Sequence, residues 1–294
     1  MRLHLLLRLL LPLLAAVALI GPAHAQVNTE KLRMTPEDEG FTGSISLSLT
    51  TKTGNVGYLD GSAGLGVANR FGKNLFFVVG SSRYAAKRKR SDRIADHTDG
   101  VERDVLSKDA RYFHAHLAAA RYNRFFSERV IGELYAQTEF NEFLLLDLRL
   151  LGGLGPRFVL FEEEAGAGYF GASYMAEYES LSDDDISTDE EADVLAHRLS
   201  SYLTFRVTLP GGVEVTSTTY YQPRLTDWFD FRIFNDSALT VALNDWLQWS
   251  LGFTLRHDSE PPWLAIDEGE VVPEPERRLR STDTTVGNKI SVSF

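Results

Sequence analysis

Val286-Gly-Asn-Lys-Ile-Ser-Val-Ser-Phe294 is the last segment of the sequence, and its side chains alternate between apolar and polar. The even-numbered positions include the apolar residues Val286, Ile290, Val292 and Phe294, and the odd-numbered positions include the polar residues Lys289, Ser291 and Ser293. Successive side chains of a β-strand point to opposite faces, so this strand has one apolar and one polar face. Such a strand suits a position between lipid and a wet lumen. We therefore predict an outer-membrane β-barrel strand, with Phe294 as the insertion signal for the barrel-assembly machinery.

The same period of two recurs along the chain in segments of about ten residues. In one segment Leu199, Leu203 and Phe205 alternate with polar residues, and residues 247–256 repeat the pattern. Alternation with the apolar face outward is typical of transmembrane barrels. A soluble β-sandwich also alternates, but its connections would show no preference for one side.

These segments predict an all-β fold, a transmembrane antiparallel up-and-down β-barrel of about twelve strands. We place the strands at residues 41–51, 57–69, 74–84, 110–122, 129–141, 147–156, 164–178, 196–208, 213–222, 228–242, 247–257 and 283–294. Every second connection is tight, whereas long charged connections lie at 85–109, 179–195 and 258–282. Short periplasmic turns and long external loops are typical of bacterial barrels, and closure would leave no sheet edge unpaired in lipid.

Residues 1–25 have the features of a cleavable signal peptide. Arg2 and Arg8 precede the apolar run 9–20, and Ala23-His-Ala25 matches a small-x-small cleavage site. The apolar run is shorter than the ~20 residues that a spanning helix needs. We expect export, cleavage after Ala25, and a single barrel domain over residues 26–294, integral to the outer membrane.

Composition excludes several classes of function. Removing Arg2 and Arg8 leaves 28 basic residues (30 − 2) against 41 acidic ones, a formal charge of −13. This balance disfavours nucleic acid as a partner, because its affinity rests on phosphate neutralisation by Lys and Arg. The absence of Cys excludes disulfides and thiolate metal sites.

Four segments resemble one known family along most of the chain. They are Gly40-Phe-Thr-Gly-Ser-Ile-Ser-Leu-Ser-Leu-Thr-Thr-Lys-Thr-Gly-Asn55, Arg121-Tyr-Asn-Arg-Phe-Phe-Ser-Glu-Arg129, Arg149-Leu-Leu-Gly-Gly-Leu-Gly155 and Arg256-His-Asp-Ser-Glu-Pro-Pro262. They are similar to the outer-membrane β-barrel family catalogued as domain of unknown function 481, whose members include salt-induced outer-membrane proteins. The resemblance implies a porin-like barrel and supplies no catalytic residues. The long loop after Pro262 and the acidic insertion at 183–193 depart from the family pattern.

Charged side chains at inward positions are the candidate lumen and selectivity residues. They are Glu133, Arg149, Glu177, Arg198, Arg206, Glu214, Asp230, Arg232, Arg256 and Lys289. A mixed lumen of this kind can be a hydrated pore whose charges select solutes. It can equally be an ion-paired plug, filled by pairs such as Arg206 with Glu214 or Asp230 with Arg256. A barrel of twelve strands is intermediate in size between barrels of about eight strands, which side chains fill, and barrels of about sixteen or more, which leave a channel. Both alternatives therefore stay open.

Other polar motifs are weaker candidates. His257-Asp258-Ser259 is not expected to be catalytic, because three consecutive residues cannot form a triad. His114 and His116 share one parity with Tyr112, which suits metal or proton chemistry, although polar filling of the lumen is the simpler interpretation. Lys87-Arg-Lys-Arg90 and Arg93 lie on the predicted outer side, where they would meet lipopolysaccharide phosphates or pair with the acidic loop, unless they only solubilise the loop.

We therefore expect a non-catalytic outer-membrane barrel without cofactor or metal. Its expected task is porin-like passage of small solutes or ions, or envelope adaptation. The first alternative is a plugged structural barrel whose external loops bind lipopolysaccharide or a partner, and the second is a lipid-modifying enzyme. Outer-membrane lipid is the expected surroundings, and the oligomeric state is left open.

Overall fold

The computed structural model describes residues 39–52, 57–88, 111–183, 186–187, 190–244, 247–264 and 278–292. The predicted signal peptide, most of the 85–109 loop and Phe294 lie outside these ranges. Within them no helix is long and apolar enough to cross a bilayer.

Twelve strands make up the described part of the chain. They are β1 Gly40–Lys52, β2 Gly57–Phe71, β3 Asn74–Arg88, β4 Arg111–Phe125, β5 Val130–Asn141, β6 Leu146–Glu163, β7 Gly166–Leu181, β8 Asp193–Leu209, β9 Val213–Pro223, β10 Phe231–Ala242, β11 Leu247–Asp258 and β12 Thr282–Val292. A single 3₁₀ turn, Glu142–Leu144, lies in the connection between β5 and β6. Each strand pairs antiparallel with the next, in the order β1 to β12. The predicted all-β, up-and-down, twelve-stranded arrangement is confirmed.

The connections differ at the two ends of the sheet. At one end, here called the turn end, they are residues 72–73, 126–129, 164–165, 210–212 and 243–246. The opposite end, here called the loop end, carries the longer connections, including 182–192 and 259–281. The predicted asymmetry between short turns and long loops is therefore present.

β1 and β12 are the two edges of the sheet. Among the described residues they form no ladder with each other, and the sheet is not closed. Both faces of β1 are exposed from Gly40 to Thr51, including Leu47 at 81%. Closure into a complete barrel stays a prediction.

The two faces of the sheet have opposite chemistry. Large apolar side chains lie exposed on the outward face, such as Leu154 and Leu195 at about 60% exposure. The inward face buries polar side chains instead, including Glu177 and Arg198 at 2% and 3% exposure. A soluble protein has the reverse arrangement, with an apolar interior and a polar surface. The predicted inward positions are therefore correct for most strands, although Leu75, Phe77 and Val79 give β3 an apolar inward face at its turn end.

A β-bulge changes the prediction for the histidine strand. The register between β3 and β4 shifts at Ala85 and Ala86, because Phe113 pairs with Ala85 while Arg111 pairs with Ala86. The extra residue, Tyr112, stacks against Tyr58 and lines the interior. His114 and His116 lie on the outward face, opposite to buried Phe113. The interpretation of these histidines as lumen filling on a face shared with Tyr112 is wrong, because the bulge breaks the period of two.

Candidate functional site

Charged side chains from six strands and the β9–β10 connection meet inside the sheet near the loop end. We call this set the central charge network, and its members are Glu139, Arg149, Glu177, Glu179, Arg198, Asp230, Arg232 and Asp258. Antiparallel pairing brings inward positions of neighbouring strands side by side, for example Arg149 of β6 opposite Glu179 of β7. The period of two therefore suffices to gather these charges in one layer.

Three arginines hold the central charge network together. Arg232 places its Nη1 2.7 Å from Glu177 Oε1, its Nη2 2.7 Å from Glu179 Oε2 and its Nε 2.9 Å from Asp258 Oδ2. Arg149 donates to Glu179 at 2.6 Å and to Glu139 at 3.1 Å. Every guanidinium in the network thus faces two or more carboxylates.

Arg198 extends the network towards β9 and β10. Its Nε lies 3.1 Å from Glu177 Oε1, and its Nη1 lies 2.9 Å from Asp230 Oδ1. Asp230 also accepts from Arg224 at 3.4 Å. Charge-assisted hydrogen bonds of this kind are about twice as strong as neutral ones, so the network cross-links strands that are distant in sequence.

A second group lies deeper, towards the turn end. Glu133 accepts a hydrogen bond from the Tyr202 hydroxyl and lies 3.6 Å from Arg121 and 3.7 Å from Arg157. Arg157 also donates to Tyr202 at 3.1 Å. We call these four residues the Glu133 cluster. All four are buried, so the cluster fills the interior below the central charge network.

A cavity of about 420 Å³ opens on the loop-end side of the network. Arg149, Arg232 and Arg256 lie on its wall together with Asp258 and Asp283. Below the network the interior narrows to a void of about 30 Å³, lined by Arg121 and Tyr202. The interior is therefore a vestibule at the loop end, followed by a packed middle.

Arg256 differs from the other arginines on the wall of the cavity. Its Nη1 and Nη2 atoms are enclosed, and they have no hydrogen-bond partner in the part of the chain that the structure describes. An enclosed guanidinium without a partner is costly, because it has lost water without gaining an acceptor. The position is suited to an anion that enters the cavity.

The structure brings six of the ten predicted lumen residues into these groups. Arg149, Glu177, Arg198, Asp230 and Arg232 belong to the central charge network, and Glu133 is the centre of the deeper cluster. Arg256 lines the cavity. The predicted pair of Asp230 with Arg256 is wrong, because Asp230 binds Arg198 and Arg224 instead.

The remaining predicted residues lie apart. Arg206 pairs with Thr216 and Glu214 with Thr208, and no ion pair joins Arg206 to Glu214 among the described residues. Lys289 lies opposite Ser250 in the β11–β12 ladder. His257 binds Thr282 at 2.8 Å, and Ser259 binds the carbonyl of Phe229, so His257-Asp258-Ser259 forms no triad.

Sequence reasoning missed Arg121, Arg157 and Tyr202. Arg121 and Tyr202 lie within predicted strands but were not named as lumen candidates, whereas Arg157 lies beyond the predicted strand end at 156 and β6 continues to Glu163. The odd-numbered residues of β6 face inward, so a strand that continued past Gly155 would have placed Arg157 inside. Pro156 lies inside β6, although proline is uncommon in the interior of a sheet.

One family model matches most of the chain. The sequence model of the family described as "Protein of unknown function, DUF481" matches residues 45–265. No curated protein matches the chain. One solved structure, titled "Bacterial polysaccharide outer membrane secretin", is similar at a TM-score of 0.41 and 9% sequence identity, and the match covers 85% of this chain and 78% of that one.

Proposed function

From the premise that this chain belongs to the DUF481 family, we propose that it is an outer-membrane β-barrel, closed in its middle by ion pairs, whose vestibule binds a small anionic solute. The packed interior favours the plugged alternative over an open pore. The proposed activity is binding at the loop end, without catalysis in the lumen.

The exposed apolar band supports the membrane placement. Leu134, Leu150 and Leu154 lie on the outward face of β5 and β6 at 45–60% exposure, over a polar interior. In water this surface would be a large exposed hydrophobic patch, whereas in a bilayer it meets acyl chains. The short connections then lie in the periplasm and the long ones outside.

The observation that carries the proposed ligand class is that Nη1 and Nη2 of Arg256, beside the 420 Å³ cavity, are enclosed and have no hydrogen-bond partner among the described residues. A carboxylate or phosphate group would supply the missing acceptors in a bidentate pair. The volume falls within the range of small-molecule sites. The aromatic and apolar wall, including Tyr112 and Phe143, would pack against the uncharged part of the solute.

Binding of inorganic phosphate and of a hexose phosphate by the refolded protein tests this proposal. We expect saturable binding by calorimetry, weakened about tenfold or more in Arg256→Ala, since one bidentate pair contributes more than ~1.4 kcal/mol. Arg206→Ala is the matched control, because it removes an inward arginine away from the cavity. Equal affinity of wild type and Arg256→Ala would contradict the proposed site.

Planar-bilayer conductance tests the closed middle. We expect no discrete steps from the folded wild type, and steps from a Glu179→Gln, Arg232→Ala variant whose network is interrupted. Large, stable steps from the wild type would instead favour the porin-like passage expected from the sequence.

A further inference from the structure

Four polar side chains form a continuous chain of hydrogen bonds on the outward face. Ser82 Oγ lies 2.9 Å from His116 Nδ1, His116 Nε2 lies 3.1 Å from His114 Nε2, and His114 Nδ1 lies 3.0 Å from Glu142 Oε2. The other Glu142 oxygen accepts from Arg111 at 2.8 Å. We call Ser82, His116, His114 and Glu142 the outward relay.

Strand register builds the outward relay. Ser82 of β3 is directly opposite His116 of β4, and His114 shares the outward face of β4 two residues away. Glu142 begins the 3₁₀ turn that follows β5, where Phe140 lies opposite His116. A bulged strand, its neighbour and a tight turn thus bring together residues that are up to sixty positions apart.

The hydrogen bonds of the relay can all point in one direction. Ser82 donates to Nδ1 of His116, Nε2–H of His116 donates to Nε2 of His114, and Nδ1–H of His114 donates to Glu142. Both rings are then neutral imidazoles with one donor and one acceptor each. A base that is oriented by a third group, and hydrogen-bonded to a hydroxyl, is the arrangement that activates a serine nucleophile.

The outward relay places polar groups on an apolar face, where they are energetically unfavourable. The outward face is otherwise rich in exposed apolar side chains, and His114 packs against the rings of Tyr84 and Phe140 at centroid distances of 5.6 and 4.9 Å. Polar and ionisable groups facing lipid are costly and mark functional sites. The position near the loop end places Ser82 at the level of lipid ester groups if the outward face meets the outer leaflet, which rests on the proposed membrane placement.

We propose that Ser82 is the nucleophile, and His116 the general base, of an acyl-transfer site that cleaves carboxylic esters of membrane lipids. Ser82 Oγ attacks the ester carbonyl carbon while its proton passes to His116 Nδ1. The tetrahedral intermediate collapses by breaking the bond between the carbonyl carbon and the alcohol oxygen, and that oxygen takes the proton from His116. Water then attacks the acyl-serine by the same route, releasing a fatty acid and restoring Ser82.

His114 and Glu142 are positioning residues in this scheme. Glu142 fixes the tautomer of His114, and His114 in turn orients His116 and shares its positive charge. A metal ion between the two Nε2 atoms is the competing interpretation of their 3.1 Å separation. No group of three or more metal-ligating side chains occurs among the residues that the structure describes, which favours proton transfer.

Labelling with a fluorophosphonate tests the nucleophile directly. We expect a covalent adduct on the peptide that contains Ser82, absent in Ser82→Ala and slowed ~10²–10⁴-fold in His116→Ala, the range for loss of a general base. Ser81→Ala is the matched control, because Ser81 is the neighbouring serine on the opposite face, and it should label like the wild type. Each variant is first checked for the folded, heat-modifiable band on a detergent gel.

Two lipid assays then identify the ester. Fatty acid release from phospholipid mixed micelles, measured beside release from lipid A, assigns the site to one source or the other. Absence of Ser82 labelling in folded wild type would overturn the proposal. Tight Zn²⁺ binding that is lost in His114→Ala and His116→Ala, without serine labelling, would overturn it in favour of a metal site. Both results are independent of phosphate binding and conductance, which test the lumen.

Discussion

Paired and unpaired arginines within one interior have opposite energetic roles. Arg232 forms ion pairs with three carboxylates. The two terminal nitrogen atoms of Arg256 are enclosed and have no hydrogen-bond partner among the described residues. Removing one member of a buried ion pair leaves the other charge without compensation, which costs about 3–5 kcal/mol. Removing an unpaired guanidinium leaves no such orphan.

We therefore expect Arg232→Met to lower the free energy of unfolding by about 3–5 kcal/mol, and Arg256→Met to leave it unchanged or to raise it, because the cost of the enclosed guanidinium is removed. Urea unfolding in detergent micelles, followed by tryptophan fluorescence, measures both variants. Because methionine approximates the length of the arginine stem, the comparison isolates the charged head. Equal losses for the two variants would mean that Arg256 is also paired, and would remove the basis for the anion site.

At the scale of the elements, close approach of neighbouring strands depends on glycines in β6 and β7. A Cβ added at Gly155 would lie 2.2 Å from the carbonyl oxygen of Ala172, which is backbone and cannot rotate away. Gly287 in β12 has no described atom within 4 Å of its added Cβ. These two strand glycines therefore offer a matched pair of substitutions.

Gly155→Ala is expected to separate β6 from β7 and to destabilise the fold by about 1–3 kcal/mol, as overpacking does. Gly287→Ala should be neutral or slightly stabilising, because alanine restricts the unfolded chain. The fraction of heat-modifiable protein after refolding, with increasing urea, reports both effects. Indistinguishable curves for the two variants would show that the β6–β7 contact tolerates a shift.

The elements also show where sequence reasoning succeeded and failed. The period of two located all twelve strands, because one face carries apolar side chains and the other carries polar groups. It failed at Tyr112, where a bulge inverted the parity, and past Pro156, where β6 continues. It identified Arg149, Glu177 and Arg232 as inward but not their partners, since pairing depends on register and side-chain reach. The outward relay combines register with a 3₁₀ turn, and no single-strand pattern signals it.

At the scale of the whole molecule, closure depends on the two edges of the sheet, β1 and β12. Among the described residues β1 pairs with β2 alone, and the N–H and C=O groups of its other edge have no strand partner there. In a bilayer each such group costs several kcal/mol, because lipid supplies no hydrogen bonds. An exposed apolar edge strand with Ile45, Leu47 and Leu49 would also be an aggregation hazard in water. Both arguments predict that β12 pairs with β1 in the membrane.

Hydrogen–deuterium exchange of the protein in lipid nanodiscs tests closure. In an open sheet only every second amide of β1 is bonded to β2, so the alternate amides between Gly43 and Thr50 should exchange quickly. In a closed barrel both sets are bonded, and we expect β1 to be protected as strongly as β3, which has a partner on each side. Fast exchange confined to one set of β1 amides, with β3 protected, would contradict closure while leaving the twelve-stranded sheet intact.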